Sequence, residues 1–295
     1  MKLNEKLIIY NNRAKYGQVV ILAGGAGSGK SFAAEKFLDA DNYKISNVDD
    51  LKKKIMQYDK IKSIDIKKLF DRKFMVLKDK FRQEFIRLMK KYGNIDIFDF
   101  NLANPDHVLM LHLICDMLGW KEKLTAALIN ENKYLPNILF DITAAEIGSL
   151  KNLITTLQNA GYQKENIHLT WILQNYKMAV KLNKERPRVV PQDILLATHL
   201  GASQSMYEII MDKSKIGIDG RIDVILNNPE NTVFYIDKKT KQPLGVVKDF
   251  IYLPVKKAGG GYYPELTWKR KLYDEIMSET PIMKTLDDLL DEFKS

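Results

Sequence analysis

An open α/β fold, with a mostly parallel sheet doubly wound by helices on its two faces, is predicted by three observations. Short apolar runs suited to buried strands occur at 18–24 (QVVILAG), 137–143 (NILFDIT) and 166–173 (NIHLTWIL). Each leads into a segment with helix-start residues or helical spacing, the alternation that generates parallel βαβ units. A chain of 295 residues with 45% apolar content is also ample for a buried core.

The strand at 18–24 runs into GGAGSGKS, and a helix begins over Ser31 to Leu38. A second short strand is expected at 42–46 (NYKIS), which leaves Asp49 and Asp50 just past its C-terminal tip. That edge is where open α/β sheets hold their ligands. From 52 to about 133 the pattern is mostly helical, with Leu77, Phe81, Phe85 and Leu88 near helical spacing, and reads as an insert too long for a simple crossover. The strand at 137–143 ends on Asp141, and Thr143 is placed to cap the helix that follows. Ile147, Leu150, Ile154 and Leu157 form one stripe of that helix, and Gly161 stops it.

After the strand at 166–173 a helix starts near Tyr176 and runs into the basic turn LNKERPRVVP (182–191). Pro191 suits the first turn of a further helix, to about Asp212. Beyond Lys213, glycine turns and β-branched runs (RIDVILNN, NTVFYIDKKT, LGVVKDFIYLPV) predict an antiparallel hairpin or small added sheet, then an amphipathic helix from about Met283. The expected organisation is a core over 1–213, with a helical insert at 52–133 and a lid at 183–191, followed by a small β-rich extension at 214–295.

No stretch approaches the roughly 18 apolar residues of a spanning helix, and MKLNEKLIIYNN lacks the features of a secretory signal. A cytoplasmic protein without a membrane partner is expected. The single cysteine, Cys115, excludes an internal disulfide and a cysteine-built zinc site. With His107 and His112 it reads as an ordinary buried helix, since the spacings form no recognisable metal set. The net charge of +9 is concentrated: residues 51–91 hold fifteen Lys/Arg against five Asp/Glu, a difference of +10. A clustered basic surface favours polyanions, although a solvated helix pair has the same composition.

Gly24-x-x-x-x-Gly29-Lys30-Ser31 is a Walker A motif in its expected context, after a strand and before a helix, and it predicts a P-loop NTPase fold. The loop residues Gly24, Gly25, Ala26, Gly27, Ser28 and Gly29 are therefore the expected nucleotide cradle. Successive backbone N–H groups of Gly27, Ser28 and Gly29 can curl around a β-phosphate, Lys30 can neutralise β/γ oxygens, and Ser31 can ligate Mg²⁺. ATP and Mg²⁺ are the expected cofactors. Asp49 is placed to accept a proton from an acceptor hydroxyl, with Asp50 the alternative base or a helix cap. Asp141 closes its strand in the manner of a Walker B acid and can orient Mg²⁺ or the acceptor. Arg186 and Arg188, in a turn able to close over ATP, can stabilise charge on the transferred group.

The run GGAGSGKSFAAEKFLDADNYKISNVDDLKKKIM resembles the kinase domain of bacteriophage polynucleotide kinases and the related zeta-toxin kinases. The resemblance covers roughly 18–55 and 137–212. It implies that Asp49 is the general base, that Asp141 and Thr143 form the second acidic strand end, and that Arg186, with Arg188, belongs to the lid. Lys52 stands where those families carry an Arg that holds the acceptor's phosphate.

The resemblance further implies a kinase acting in the cytoplasm of a bacterium or a phage-infected host. The basic insert favours a nucleic-acid acceptor, a 5′-hydroxyl of DNA or RNA or a hydroxymethylated base of DNA as in phage DNA modification. A UDP-sugar or other small nucleotide metabolite is the alternative acceptor, and a non-catalytic ATP-binding regulator is the reading outside the kinase class.

Overall fold

The computed structural model describes residues 6–10, 15–47, 52, 56, 69, 72–93, 96–130, 134–211, 216–261 and 266–294. The apolar run VVILA forms β1 (Val19–Ala23), buried throughout because it lies inside the sheet with helices on both faces. The motif loop then leads into α1 (Lys30–Lys36), and β2 (Lys44–Asn47) follows. The insert contains α2 (Asp79–Tyr92), α3 (Pro105–Met117) and α4 (Trp120–Asn130). Then come β3 (Ile138–Asp141), α5 (Ile147–Asn159), β4 (Ile167–Leu173), α6 (Tyr176–Asn183) and α7 (Gln192–Met211). The chain continues through β5 (Ile222–Leu226), β6 (Thr232–Ile236), β7 (Pro243–Lys256), α8 (Leu266–Glu279) and α9 (Leu286–Glu292).

Among the described residues seven strands form one sheet in the order β2-β3-β1-β4-β5-β7-β6. The strands from β2 to β5 are parallel, and only β7 and β6 run against them. The α/β fold is thus the predicted one. Register brings Leu22, Asp141 and Asn47 side by side at the C-terminal ends of β1, β3 and β2. After β1 the chain moves to β2 and β3 on one side and later returns to β4 on the other. The crevice at the end of β1 is therefore a switch point, the usual ligand position in such sheets.

The insert has its own apolar cluster, centred on Phe85, Leu88, Met110, Leu111 and Leu113. Cys115 is buried in α3, as expected of an ordinary core helix.

Three local expectations are corrected. RIDVILNN does not belong to an added antiparallel sheet: β5 pairs parallel with β4, Leu169 to Ile222 through Leu173 to Leu226, and extends the core. Its fully buried pattern (IDVIL) is that of an inner strand, whereas β6 and β7 do form the predicted hairpin. The C-terminal region has two helices, α8 and α9, and Thr285 closes a capping box on α9. Thr143 does not cap α5, whose N-cap is Glu146 without a side-chain bond; the Thr143 carbonyl instead accepts the Gly24 N–H at 3.3 Å.

Candidate phosphate-binding site

The loop between β1 and α1 needs left-handed backbone where Gly27 and Gly29 occur, each at φ 80°, a conformation that costs a side-chain-bearing residue about 1–2 kcal/mol. Gly29 is the N-cap of α1, so the N–H groups of Lys30 and Ser31 open the helix without intrahelical acceptors. Ser28 departs from the expectation: its N–H already bonds the Gly25 carbonyl at 3.1 Å, within the loop. Its side chain is buried, and Ser31 is exposed at the mouth of the loop.

Lys30 turns back over the loop. Its Nζ donates to the Gly24 carbonyl at 2.8 Å and the Gly25 carbonyl at 3.1 Å, and lies 3.6 Å from Asp141 Oδ1. Both side chains are nearly enclosed, 10% and 12% exposed, so little water screens the pair. The Asn47 amide donates to Asp141 Oδ2 at 3.3 Å, tying the tip of β2 to the tip of β3. Asp49 and Asp50, two and three positions beyond Asn47, lie outside the described residues. Lys52 is buried, and together with Lys121 it draws down the Asp116 carboxyl, which burial nevertheless holds above its ordinary value. Lys52 therefore lies within electrostatic reach of α3 of the insert.

The turn between α6 and α7 passes over the loop. Arg186 Nη1 is 3.5 Å from the point a Gly27 Cβ would occupy, so the guanidinium lies against the cradle. Arg188, half-buried, is two residues on. The turn is closed by a residue that carries no sequence signal: the Asn183 amide donates to the Val190 carbonyl at 2.7 Å, and its oxygen accepts the Val190 N–H at 3.0 Å. The insert meets the same turn, because the Val189 N–H donates to the Leu102 carbonyl at 3.1 Å. Gly24 to Ser31, Asp141, Thr143 and Arg186 are therefore gathered at one end of the sheet.

Among the described residues no three His, Cys, Asp or Glu side chains are grouped to hold a metal. The Ser31 hydroxyl and the Asp141 carboxylate are hard oxygen donors of the kind that, with phosphate oxygens, hold Mg²⁺, and here Asp141 is engaged by Lys30 and Asn47.

Four basic residues of the described part of the basic segment are paired with carboxylates. Lys78 meets Glu146 at 2.5 Å, Arg82 meets Asp79 at 2.7 Å, Arg87 meets Glu84 and Asp106 at 2.5 and 2.7 Å, and Lys91 meets Asp106 at 2.9 Å. These bonds hold Asp106 well below the usual carboxylate range, the Arg87 bond contributing most.

The fold and the loop define an α/β chain with a P-loop at the switch point of a mostly parallel sheet. It is similar to a chain of the PezAT chromosomal toxin–antitoxin system of Streptococcus pneumoniae, at 14% identity, with 98% of this chain and 90% of that one covered and a TM-score of 0.40. It is also similar to a chain of the AvrRxo1-ORF1:-ORF2 complex, at 11% identity, with 89% and 64% covered and a TM-score of 0.43. No protein-family model and no curated protein matches the sequence. Among the described residues no helix is long and apolar enough to cross a membrane.

Proposed function

We propose that the protein is an ATP-dependent phosphotransferase whose acceptor is an alcohol hydroxyl. The observation that carries this reading is the enclosed cluster of Lys30 and Asp141 at the Walker A loop, with Arg186 lying against Gly27. In the reaction the acceptor oxygen attacks the γ-phosphorus. The new O–P bond replaces the bond from that phosphorus to the β–γ bridging oxygen, ADP departs, and the hydroxyl proton passes to Asp49. Asp50, the next residue in sequence, is the alternative base. Lys30 and the first N–H groups of α1 bind the phosphates, while Arg186, with Arg188, faces the charge that spreads over the transferred group. Ser31 and Asp141 would hold Mg²⁺, which when bound offsets the charge of the β and γ oxygens.

For the acceptor we favour a small nucleotide metabolite, such as a UDP-sugar, with Lys52 and Thr143 on its side of the site. The pairing of Lys78, Arg82, Arg87 and Lys91 supports this choice, because cations already bound to carboxylates release fewer counterions on meeting a polyanion. A polynucleotide acceptor is the second reading, favoured by the +10 difference within 51–91.

One assay separates the two: transfer from γ-labelled ATP to nucleotide sugars, nucleosides, DNA and RNA. Labelled metabolite with indifference to oligonucleotides supports the first reading. Salt-sensitive labelling of an oligonucleotide replaces it with the second, and no labelled product refutes both.

A further inference from the structure

Two parts of the chain far from the loop in sequence hold its backbone from outside. The Ala26 carbonyl meets His199 Nε2 at 2.9 Å, and the Ala26 N–H donates to Thr198 Oγ at 3.0 Å, so neighbouring residues of α7 hold both polar groups of one loop residue. A carbonyl can only accept, so Nε2 carries the proton. On the other side the Asn227 amide, just past β5, donates to the Ser28 carbonyl at 2.8 Å. All three are fixed in turn. Thr198 donates to the Leu195 carbonyl at 2.8 Å, the Asn227 N–H donates to the Leu173 carbonyl at 2.8 Å, and His199 is only 4% exposed.

The glycines match this arrangement. A Cβ on Gly25 would stand 2.3 Å from the His199 ring, and one on Gly29 would stand 2.1 Å from the Asn227 amide nitrogen. Gly25 has no positive φ, so contact with His199, not backbone geometry, requires glycine there. The two side chains occupy the space that these glycines leave.

We infer that His199 and Asn227, with Thr198, are positioning residues that preform the phosphate loop before nucleotide arrives. Turning the Ala26 and Ser28 carbonyls outward keeps carbonyl dipoles away from the anion and leaves the N–H groups of Gly27, Gly29, Lys30 and Ser31 facing it. Order established beforehand is not lost again on binding, which raises affinity. Burial, the main cause, and the Lys30 charge push His199 down to about 4, so the ring is a neutral donor at ordinary pH. This inference deepens the phosphotransferase reading and rests on it for the nature of the ligand.

The test combines amide hydrogen exchange of residues 24–31 in the nucleotide-free full chain with ADP affinity by calorimetry. His199→Leu and Asn227→Ala are expected to speed exchange across the loop and to weaken ADP about tenfold each. His199→Gln, whose amide nitrogen can replace Nε2, should stay near wild type in both. Wild-type exchange and affinity in His199→Leu would overturn the inference. If that variant does not fold, Gly25→Ala and Gly25→Ala/His199→Ala decide. Partial recovery of loop protection in the double variant supports the contact, and simple addition of the two losses refutes it. A wild-type protein that binds no ADP refutes the phosphotransferase reading instead, while the exchange measurement still decides whether the loop is preformed.

Discussion

Lys30 donates to the Gly24 and Gly25 carbonyls, two acceptors that a phosphate oxygen would replace. Because charge-assisted bonds are stronger than neutral ones, Lys30→Ala is expected to weaken ADP binding by about a hundredfold in calorimetry. A change under threefold would deny it that role. The buried histidines tie stability to pH. Burial pushes His199 down to about 4 and His168 to about 3, both below the ordinary value of about 6.5. A depressed histidine leaves the folded state with fewer protons than the unfolded chain across that window, so stability rises with pH there. Lowering the pH from 6.5 towards 4 should therefore lower the melting temperature, and His199→Gln should flatten the slope. A flat profile in the wild type over that range would contradict the burial of these rings.

Single residues were also where sequence told least. The motif residues from Gly24 to Ser31 and the strand-end Asp141 were legible because local spacing defines them. His199 and Asn227 were not, since their partners are about 170 and 200 positions away and a lone His in an apolar helix has no distinguishing pattern.

Between α6 and α7 lies the turn expected to close over the nucleotide. Asn183 closes it with two buried hydrogen bonds to Val190, and removing both should cost about 1–3 kcal/mol locally. Asn183→Ala is thus expected to speed amide exchange over 184–191 and to lower the phosphoryl-transfer rate about tenfold, with ADP affinity little changed. Unchanged exchange in that turn would show that the Asn183 bonds do not hold it. At the end of the chain, the Thr285 cap on α9 should make Thr285→Ala cost about 1 kcal/mol, read from the denaturant midpoint. Helices with one apolar stripe, such as α5, were legible because local spacing determines them. β5 is not legible as a core strand because nothing within RIDVILNN says whether its neighbour runs parallel; pairing with β4 is a property of the whole sheet.

For the whole molecule, the sheet order puts the ends of β1, β2 and β3 in one place and leaves β5 to reach the loop from the opposite side. The insert and the turn between α6 and α7 meet through the Val189–Leu102 hydrogen bond. The insert's position and its internal ion pairs bear on the acceptor, and composition could count its charges without showing which were already paired.

Phosphoryl transfer from ATP to a hydroxyl is the proposed reaction at this end of the sheet. The most direct measurement is the fate of γ-labelled ATP incubated with the protein and the acceptor panel, in parallel with Asp49→Asn. A labelled alcohol phosphate, reduced by several orders of magnitude in the variant, is the predicted result. ATP bound at the loop but left intact with every acceptor would contradict phosphoryl transfer, and transfer undiminished in both Asp49→Asn and Asp50→Asn would contradict a carboxylate base there.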